Sequence, residues 1–360
     1  MAKRISLAVV FGGRSGEHEV SIASAKSVVA AFNKKRYDIV PIRIAKDGIW
    51  YVDYRILAGG ARGRQGGRRI FPSCPAERRL RTLSGRLAER IDIAFAVMHG
   101  TYGEDGAIQG LFEIAGIPYV GSGVPGSSIG MDKAVSKVLL AEAGIPTVDF
   151  ISFKRFEWEA DGQKIIRRAA HRFGFPNFVK PVNLGSSVGI TKAHNRKELT
   201  AGIKEALKYD EKIIIERVVE DAREIECAIL GNNHPIASVL GEIIPSNEFY
   251  DYSAKYLTGK SGLVIPAELP DKRADKMRKQ ALQAFRILEA EGLARVDFLM
   301  DSAGNHYLNE INTMPGFTKF SMFPRLWAAS GLSYSRLLDK IVRLAFARAK
   351  RRSRLKRNFS

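Results

Sequence analysis

Apolar positions along the chain fall into short runs with two alternating periods. Ile5–Phe11 is nearly continuous and ends on Gly12-Gly13, as a buried strand entering a turn does. His18, Ile22, Ala25 and Val29 then recur at helical spacing, whereas Val40, Ile42 and Ile44 alternate, as do Ile91, Ile93, Phe95 and Val97. Alternation at every second residue is the period of a strand. In GAIQGLFEIAG (106–116), Ile108, Leu111, Phe112 and Ala115 return to helical spacing. Strand, helix and strand in succession predict parallel pairing, with sites gathered at the carboxyl ends of the strands.

A second unit is predicted from about Val120. Asp132 can cap a helix that stops at Gly144, with Pro146 just beyond. NFVKPV (177–182) reads as a short strand opening into the Gly/Ser loop NLGSSVG (183–189). Asn195 and Glu198 have capping-box spacing before a helix bearing Leu199, Ile203 and Leu207. A third unit holds the strands KIIIERV, EIECAIL and HPIASVLGEII, the polar and aromatic segment 245–262, and a long helix around 271–291. LARVDFLM and NHYLNEIN follow across DSAGN as a hairpin. No internal repeat is visible.

Composition narrows the class. A chain of 360 residues calls for two or three domains, and 45% hydrophobic with 26% charged residues is ordinary globular usage. No apolar run approaches the roughly 18 residues a membrane span needs, and MAKRISLAVVFGG does not read as a signal peptide. Cys74 and Cys227 stand far apart without neighbouring His, which argues against a disulfide framework or structural zinc and suits a reducing cytoplasm. The formal net charge of +19 raises nucleic-acid binding as an alternative. Much of the excess sits in AGGARGRQGGRR (58–69) and ARAKRRSRLKRNFS (347–360), without the interleaved aromatics that would stack on bases. They read as a Gly/Arg loop and a solvated tail, not as a nucleic-acid interface.

Candidate chemistry centres on the hairpin. Arg295 and Asp297 project from one face of its first strand, Glu310 and Asn312 from one face of its second, and pairing can bring the sets together. Oxygen ligands without His or Cys suit Mg²⁺, which also takes phosphate oxygens; a surface hairpin with incidental charges is the alternative. NTMPGFT (312–318) follows, and its Gly316 can bring a backbone N–H close to a reacting carbonyl oxygen. KPVNLGSSVG places Lys180 at a strand end before small residues that let backbone N–H groups approach phosphate, although no Walker A pattern occurs. Lys133 is a further basic group within reach of such a site. GSGVPG (121–126) matches GxGxxG, but Pro125 and the lack of an immediate helix favour a glycine-rich crossover over a dinucleotide site. Glu17, His18 and Glu19 occupy a first helical turn, where the helix dipole favours acids, and Glu17 can alternatively receive a substrate ammonium. His99, Glu104 and Asp105 end the strand that carries Phe95.

In order and spacing, GGRSGEHEVSIASA, MHGTYGEDGAIQGLFEIAGIPYVGSG, GMDKAVSK, VKPVNLGSSVGI, FYDYSAKY, ARVDFLMD and YLNEINTMPGFTKFSMFPRL resemble the D-alanine–D-alanine ligase family of the ATP-grasp superfamily, over residues 4–346. The resemblance implies a three-domain ATP-grasp architecture. An N-terminal parallel α/β substrate-binding domain (1–121) would join two α+β domains that grip ATP, one central (122–216) and one C-terminal and catalytic (217–346), with 347–360 as a flexible tail. It implies ATP-dependent ligation of two D-alanines for peptidoglycan precursor synthesis, through an acyl phosphate, in a cytoplasmic homodimer built through the N-terminal domain. ATP would be co-substrate, with two Mg²⁺ or Mn²⁺ ions on Asp297, Glu310 and Asn312.

Carried over by matching position, Lys133, Lys180 and Lys255 would bind phosphates. Glu216 and Val219 would lie at the adenine hinge, and Glu224 would hold the ribose hydroxyls. Glu17 would receive the first D-alanine's ammonium with His99 beside it, and Glu17, Ser186 and Tyr256 would form a hydrogen-bonded triad. Arg295 and the Gly316 N–H would stabilise the tetrahedral intermediate, and Ser321 would contact the second carboxylate. The segment 245–262 would close before chemistry to exclude water. Arg217 stands where several relatives have Lys, and Met322 where Leu is common, which loosens the second-substrate pocket. Tyr256 is the type associated with amine acceptors, favouring D-alanine over D-lactate; D-serine or D-lactate remain alternative second substrates.

Overall fold

The computed structural model describes residues 4–56, 67–72, 79–82, 87–186, 188–244 and 262–356. The first sheet has seven strands. They are β1 (Ile5–Gly12), β2 (Tyr37–Ile44), β3 (Trp50–Val52), β4 (Arg68–Pro72), β5 (Arg79–Thr82), β6 (Leu87–Arg90) and β7 (Ile93–Ala96), in the order β6-β5-β4-β3-β2-β1-β7. Pairing is parallel only between β1 and its neighbours β2 and β7, and antiparallel from β2 outward to β6. The parallel core expected of this unit therefore carries an antiparallel wing. Arg68 and Arg69, assigned from composition to a Gly/Arg loop, start strand β4 of that wing; 57–66 lie outside the described residues. Ile93, Ala94, Phe95 and Ala96 are all buried, so the alternation through β7 marks two apolar faces and not a wet one.

Helix α1 (His18–Ala31) follows β1 and buries Val20, Ala25, Val28 and Val29, with Ser21 and Ser24 among them. Helix α2 (Ala107–Ile114) buries Ile108 and Phe112 as the spacing required. Helix α3 (Val124–Met131) begins inside GSGVPG, which corrects the expectation that no helix follows. Pro125 sits in its first turn, where a missing N–H costs nothing. The glycines there serve backbone packing: a Cβ on Gly126 would lie 2.1 Å from the Glu289 carbonyl oxygen. Helix α4 (Lys133–Glu142) is capped by Asp132, whose carboxylate accepts from the Val135 N–H at 2.8 Å.

The second sheet is four-stranded and antiparallel, ordered β10-β9-β11-β8. It uses β8 (Phe150–Lys154), β9 (Asn177–Pro181), β10 (Thr191–Ala193) and β11 (Lys212–Arg217), and is covered by α5 (Arg155–Phe173) and α6 (Arg196–Ala206). Asn195 caps α6 as expected, its Oδ1 accepting from the Glu198 N–H at 3.0 Å, but Glu198 reaches back to the His194 N–H at 2.9 Å and not to that of Asn195, so the capping box is half formed. The third sheet has five antiparallel strands, ordered β14-β13-β12-β15-β16. These are β12 (Arg223–Gly231), β13 (Ile236–Ile244), β14 (Gly262–Val264), β15 (Gly292–Met300) and β16 (His306–Asn312). Helix α7 (Asp271–Ile287) packs on one face, and α8 (Met322–Ala329) and α9 (Tyr334–Arg352) on the other.

One apolar core runs from the first sheet into the third. Leu7, Val9 and Phe95 belong to the same cluster as Leu293, Phe317, Phe323 and Leu337. Phe95 and Phe317 meet edge to face at 5.2 Å, worth about 0.5–1.5 kcal/mol beyond the burial of their area. The second sheet has a core of its own around Ile151, Val179 and Ile215. The run from 347 is not wholly a solvated tail either, because α9 continues to Arg352. Buried Arg348 donates to the Tyr119 carbonyl at 2.8 Å and to that of Gly121, with its guanidinium 4.2 Å from the Tyr119 ring centre. Residues 357–360 lie outside the described set.

Candidate active site

The hairpin of β15 and β16 pairs Arg295 with Asn312 and Asp297 with Glu310. Directly opposed residues of an antiparallel pair share a face, so the four polar groups converge as their spacing requires. Arg295 donates to both Asp297 oxygens, at 2.7 and 2.6 Å, and Asn312 Nδ2 donates to Asp297 Oδ2 at 2.9 Å. On the neighbouring strand Glu226 stands opposite Asp297, with Oε2 3.0 Å from Arg295 Nε. Glu226 escaped the sequence reading, although Glu224 and Glu226, two apart on one strand, face the same way.

Beside the hairpin lies a cavity of about 640 Å³, large enough for a nucleotide. Lys133, Lys180, Glu216, Val219, Glu224 and Glu310 line it. The link between β11 and β12 forms one wall, where the Arg217 guanidinium sits 5.9 Å from the centre of the Tyr307 ring. Lys133 Nζ donates to the Leu184 carbonyl at 2.7 Å and approaches Glu310 Oε2 at 3.6 Å. Glu216 is buried between two lysines, Lys180 at 2.5 Å and Lys137 at 3.0 Å. Burial alone would raise its carboxyl, but Lys137 and Lys180 hold it down to about 2.

A smaller cavity of about 70 Å³ lies at the other end of the cleft. Glu17, His99, Arg295, Gly316 and Ser321 line it, and it shares Ser186 and Glu310 with the larger one. Glu17 ends the turn before α1, with its carboxylate buried, and accepts from the Ser186 hydroxyl across the cleft. Space around it is tight: a Cβ on Gly100, whose φ is +72°, would lie 2.4 Å from Glu17 Oε2, and one on Gly185 3.2 Å away. Ser186 has φ +52°, a left-handed conformation uncommon for a side-chain-bearing residue and concentrated at functional sites. His99 is held at Nε2 by the Ser24 hydroxyl at 3.0 Å and at Nδ1 by the Met314 carbonyl at 3.2 Å. Burial pulls its pKa below the usual histidine value, favouring the neutral ring. Glu104 accepts from the Gly100 N–H at 2.9 Å, and burial together with the Glu17 charge pushes its carboxyl up to about 8. Gly316 allows close approach, since a Cβ there would lie 2.6 Å from Ser321 Oγ. Ser321 Oγ in turn accepts from the Thr318 N–H at 3.0 Å.

Among the described residues no three His, Cys, Asp or Glu side chains form a metal cage. The hairpin offers two carboxylates and an amide, all oxygen donors, opening into the nucleotide-sized cavity. That set fits Mg²⁺, which holds one or two carboxylates and completes its shell with phosphate and water. Lys255 and Tyr256 lie outside the described residues, as does most of the segment 245–262 expected to close. Every other residue expected at the site lines one of the two cavities. Cys227 is buried in the third sheet, its thiol pushed up to about 12 by burial, and takes no part; Cys74 is outside the described set. No helix among the described residues is long and apolar enough to cross a membrane.

Family models for the D-ala D-ala ligase N-terminus and C-terminus match residues 6–122 and 139–343. A D-alanine–D-alanine ligase of Thermoanaerobacter pseudethanolicus is 49% identical over 348 residues, covering 94% of this chain and 96% of the relative. That of Natranaerobius thermophilus is 48% identical over 365 residues, covering 99% of each. Among solved structures, the D-alanine–D-alanine ligase from Coxiella burnetii superposes with a TM-score of 0.85 at 35% identity, covering 98% of this chain and 97% of the other. The VanG D-Ala:D-Ser ligase from Enterococcus faecalis gives 0.84 at 35%, covering 95% and 100%. With both family models matched in order and full-length relatives at this identity, the chain belongs to the D-alanine–D-alanine ligase family.

Proposed function

We propose how this chain carries out the reaction of its family, the ATP-dependent joining of two D-alanines for peptidoglycan synthesis. The observation that carries the reading is the meeting of the two cavities at Ser186 and Glu310. A nucleotide in the large one presents its terminal phosphate to whatever occupies the small one. A free carboxylate is a poor acyl donor, so the first D-alanine takes the γ-phosphoryl group of ATP and becomes an acyl phosphate. Lys133, Lys180 and Lys255 hold the phosphates, while the segment at Glu216 and Val219 receives the adenine and Glu224 the ribose. Divalent ions, Mg²⁺ or Mn²⁺, held by Asp297, Glu310 and Asn312 would neutralise charge spreading over the transferring phosphoryl group.

Glu17 receives the ammonium of the first D-alanine, with neutral His99 beside it and the Ser186 hydroxyl on it from across the cleft; Tyr256, the third member the resemblance implies, lies outside the described residues. The deprotonated amine of the second D-alanine attacks the acyl carbon, and phosphate leaves. Arg295 and the Gly316 N–H stabilise the oxyanion, and Ser321 holds the second carboxylate. The test is ADP release with and without D-alanine, followed by mass identification of the product. D-alanine-dependent ADP release with D-alanyl-D-alanine formed is the expected result; ADP release indifferent to D-alanine would overturn the assignment. D-serine, the acceptor named for the VanG relative, and D-lactate are to be compared as second substrates at neutral and alkaline pH. Preference for either over D-alanine at pH about 8, where more of the amine is deprotonated, would overturn the second-substrate assignment.

The proposed working units are 1–121, 122–216 and 217–346, the first carrying D-alanine and the other two gripping ATP. The chain works in the cytoplasm as a homodimer formed through its N-terminal unit. Sedimentation at twice the chain mass is expected, and a monomer at micromolar concentration would overturn that part.

A further inference from the structure

Helix α4 carries two lysines one turn apart, and they divide the work at the cleft. Lys133 faces the cavity and approaches Glu310, whereas Lys137 lies behind the cavity wall with no exposed surface. Lys137 Nζ is 3.0 Å from Glu216 Oε1, and the other oxygen of the same carboxylate holds Lys180 Nζ at 2.5 Å. One buried carboxylate is thus shared by a cation that reaches the nucleotide cavity and a cation that does not.

We propose that Lys137 is a positioning residue for nucleotide binding: it remains as the counterion of Glu216 and so frees Lys180 to turn to the phosphates of ATP. A buried carboxylate stripped of its partner carries a heavy desolvation cost. If Lys180 were the sole cation on Glu216, each phosphate contact it made would leave that carboxylate uncompensated. With Lys137 fixed behind, Lys180 exchanges one anion for another while Glu216 stays paired. The i,i+4 spacing of Lys133 and Lys137 puts both on one side of α4, and the Asp132 cap, itself held by Lys212 at 2.8 Å, fixes where that helix starts. Burial, with Lys180 nearby, holds Lys137 below the usual lysine range against the opposing pull of Glu216.

The inference rests on the reading that Lys180 contacts nucleotide phosphates, and the experiment separates the two. ADP and AMP binding, with Mg²⁺ present, is to be measured by calorimetry for wild type and for the variants Lys137→Met, Lys137→Arg and Lys180→Ala. Methionine keeps an unbranched side chain out to Cε and removes the charged nitrogen, and retained thermal unfolding shows that it folds. Lys137→Met should bind ADP about tenfold more weakly, the scale of one charge-assisted hydrogen bond, with a much smaller change for AMP. Lys137→Arg should recover most of the loss. Equal weakening for AMP and ADP, or no weakening at all, would overturn the role of Lys137 as a positioning residue. Unchanged ADP affinity in Lys180→Ala would instead overturn the phosphate reading of Lys180, whatever Lys137→Met does.

Discussion

At the nucleotide end of the cleft the charged groups come from helix α4, from β9 and β11 of the second sheet, and from β12, β15 and β16 of the third. At the D-alanine end the turn before α1, the end of β7, the loop after β9 and the segment after β16 meet Arg295 of the hairpin. Between the two ends stands the hairpin, a set of charges whose geometry follows from strand pairing, Arg295 opposite Asn312 and Asp297 opposite Glu310. The D-alanine end is a small space whose shape depends on how the first and third sheets share a core, with Phe95 on Phe317 just behind it. The carboxylate hairpin can thus be encoded locally, whereas selection of a small amino acid needs the whole tertiary assembly.

Substitutions at the two ends should therefore fail in different ways. Glu310→Gln should show the largest effect, about 100-fold or more lower kcat for D-alanine-dependent ADP release, with the thermal transition retained. Near-normal turnover at ordinary Mg²⁺ would break the assignment of the hairpin. Glu17→Gln should instead raise the KM for the first D-alanine about tenfold or more, as expected for losing a charge-assisted contact, and leave ADP affinity unchanged. A parallel loss of ADP affinity would merge the two ends into one.

A third, smaller effect is one of pH. Glu104 sits at about 8 in the folded protein against 4.5 when exposed, so between these values the folded state holds a proton that the unfolded chain releases. Its contribution to stability is full below 4.5 and is lost as pH rises through 8. In metal-free protein, the melting temperature of Glu104→Gln should fall less than that of wild type between about pH 5 and 8. Identical slopes would remove Glu104 from this role. The smallest effect belongs to Arg351→Ala, far from both ends. Its half-exposed ion pair with Glu291 should be worth about 1 kcal/mol or less, with activity unchanged.

The same contrast explains what was legible in the sequence. The hairpin cluster could be read from residue spacing because a strand repeats every two residues and its partner is the next strand along. Helix α6 and its cap were readable for a similar local reason. Helix α3 was not, because Gly and Pro usually signal a turn, and only the backbone contact of Gly126 with Glu289 shows why glycine is needed inside a helix there. Lys137 carried a faint signal, its spacing from Lys133, but nothing local says that a lysine is buried until β11 brings Glu216 to it. The meeting of Glu17 with Ser186, 169 positions apart, was expected from the family resemblance alone, since no periodicity reaches that far. The tail misled for the opposite reason: its charge looks solvated, yet Arg348 finds the carbonyls of Tyr119 and Gly121 inside.

The most direct measurement is Mn²⁺ binding in the presence of ADP, followed by electron paramagnetic resonance, for wild type and Glu310→Gln. If the hairpin holds the metal that handles phosphate, wild type binds Mn²⁺ and the variant binds it at least about tenfold more weakly. Equal Mn²⁺ affinity in the two proteins would contradict the assignment of the hairpin as the metal site.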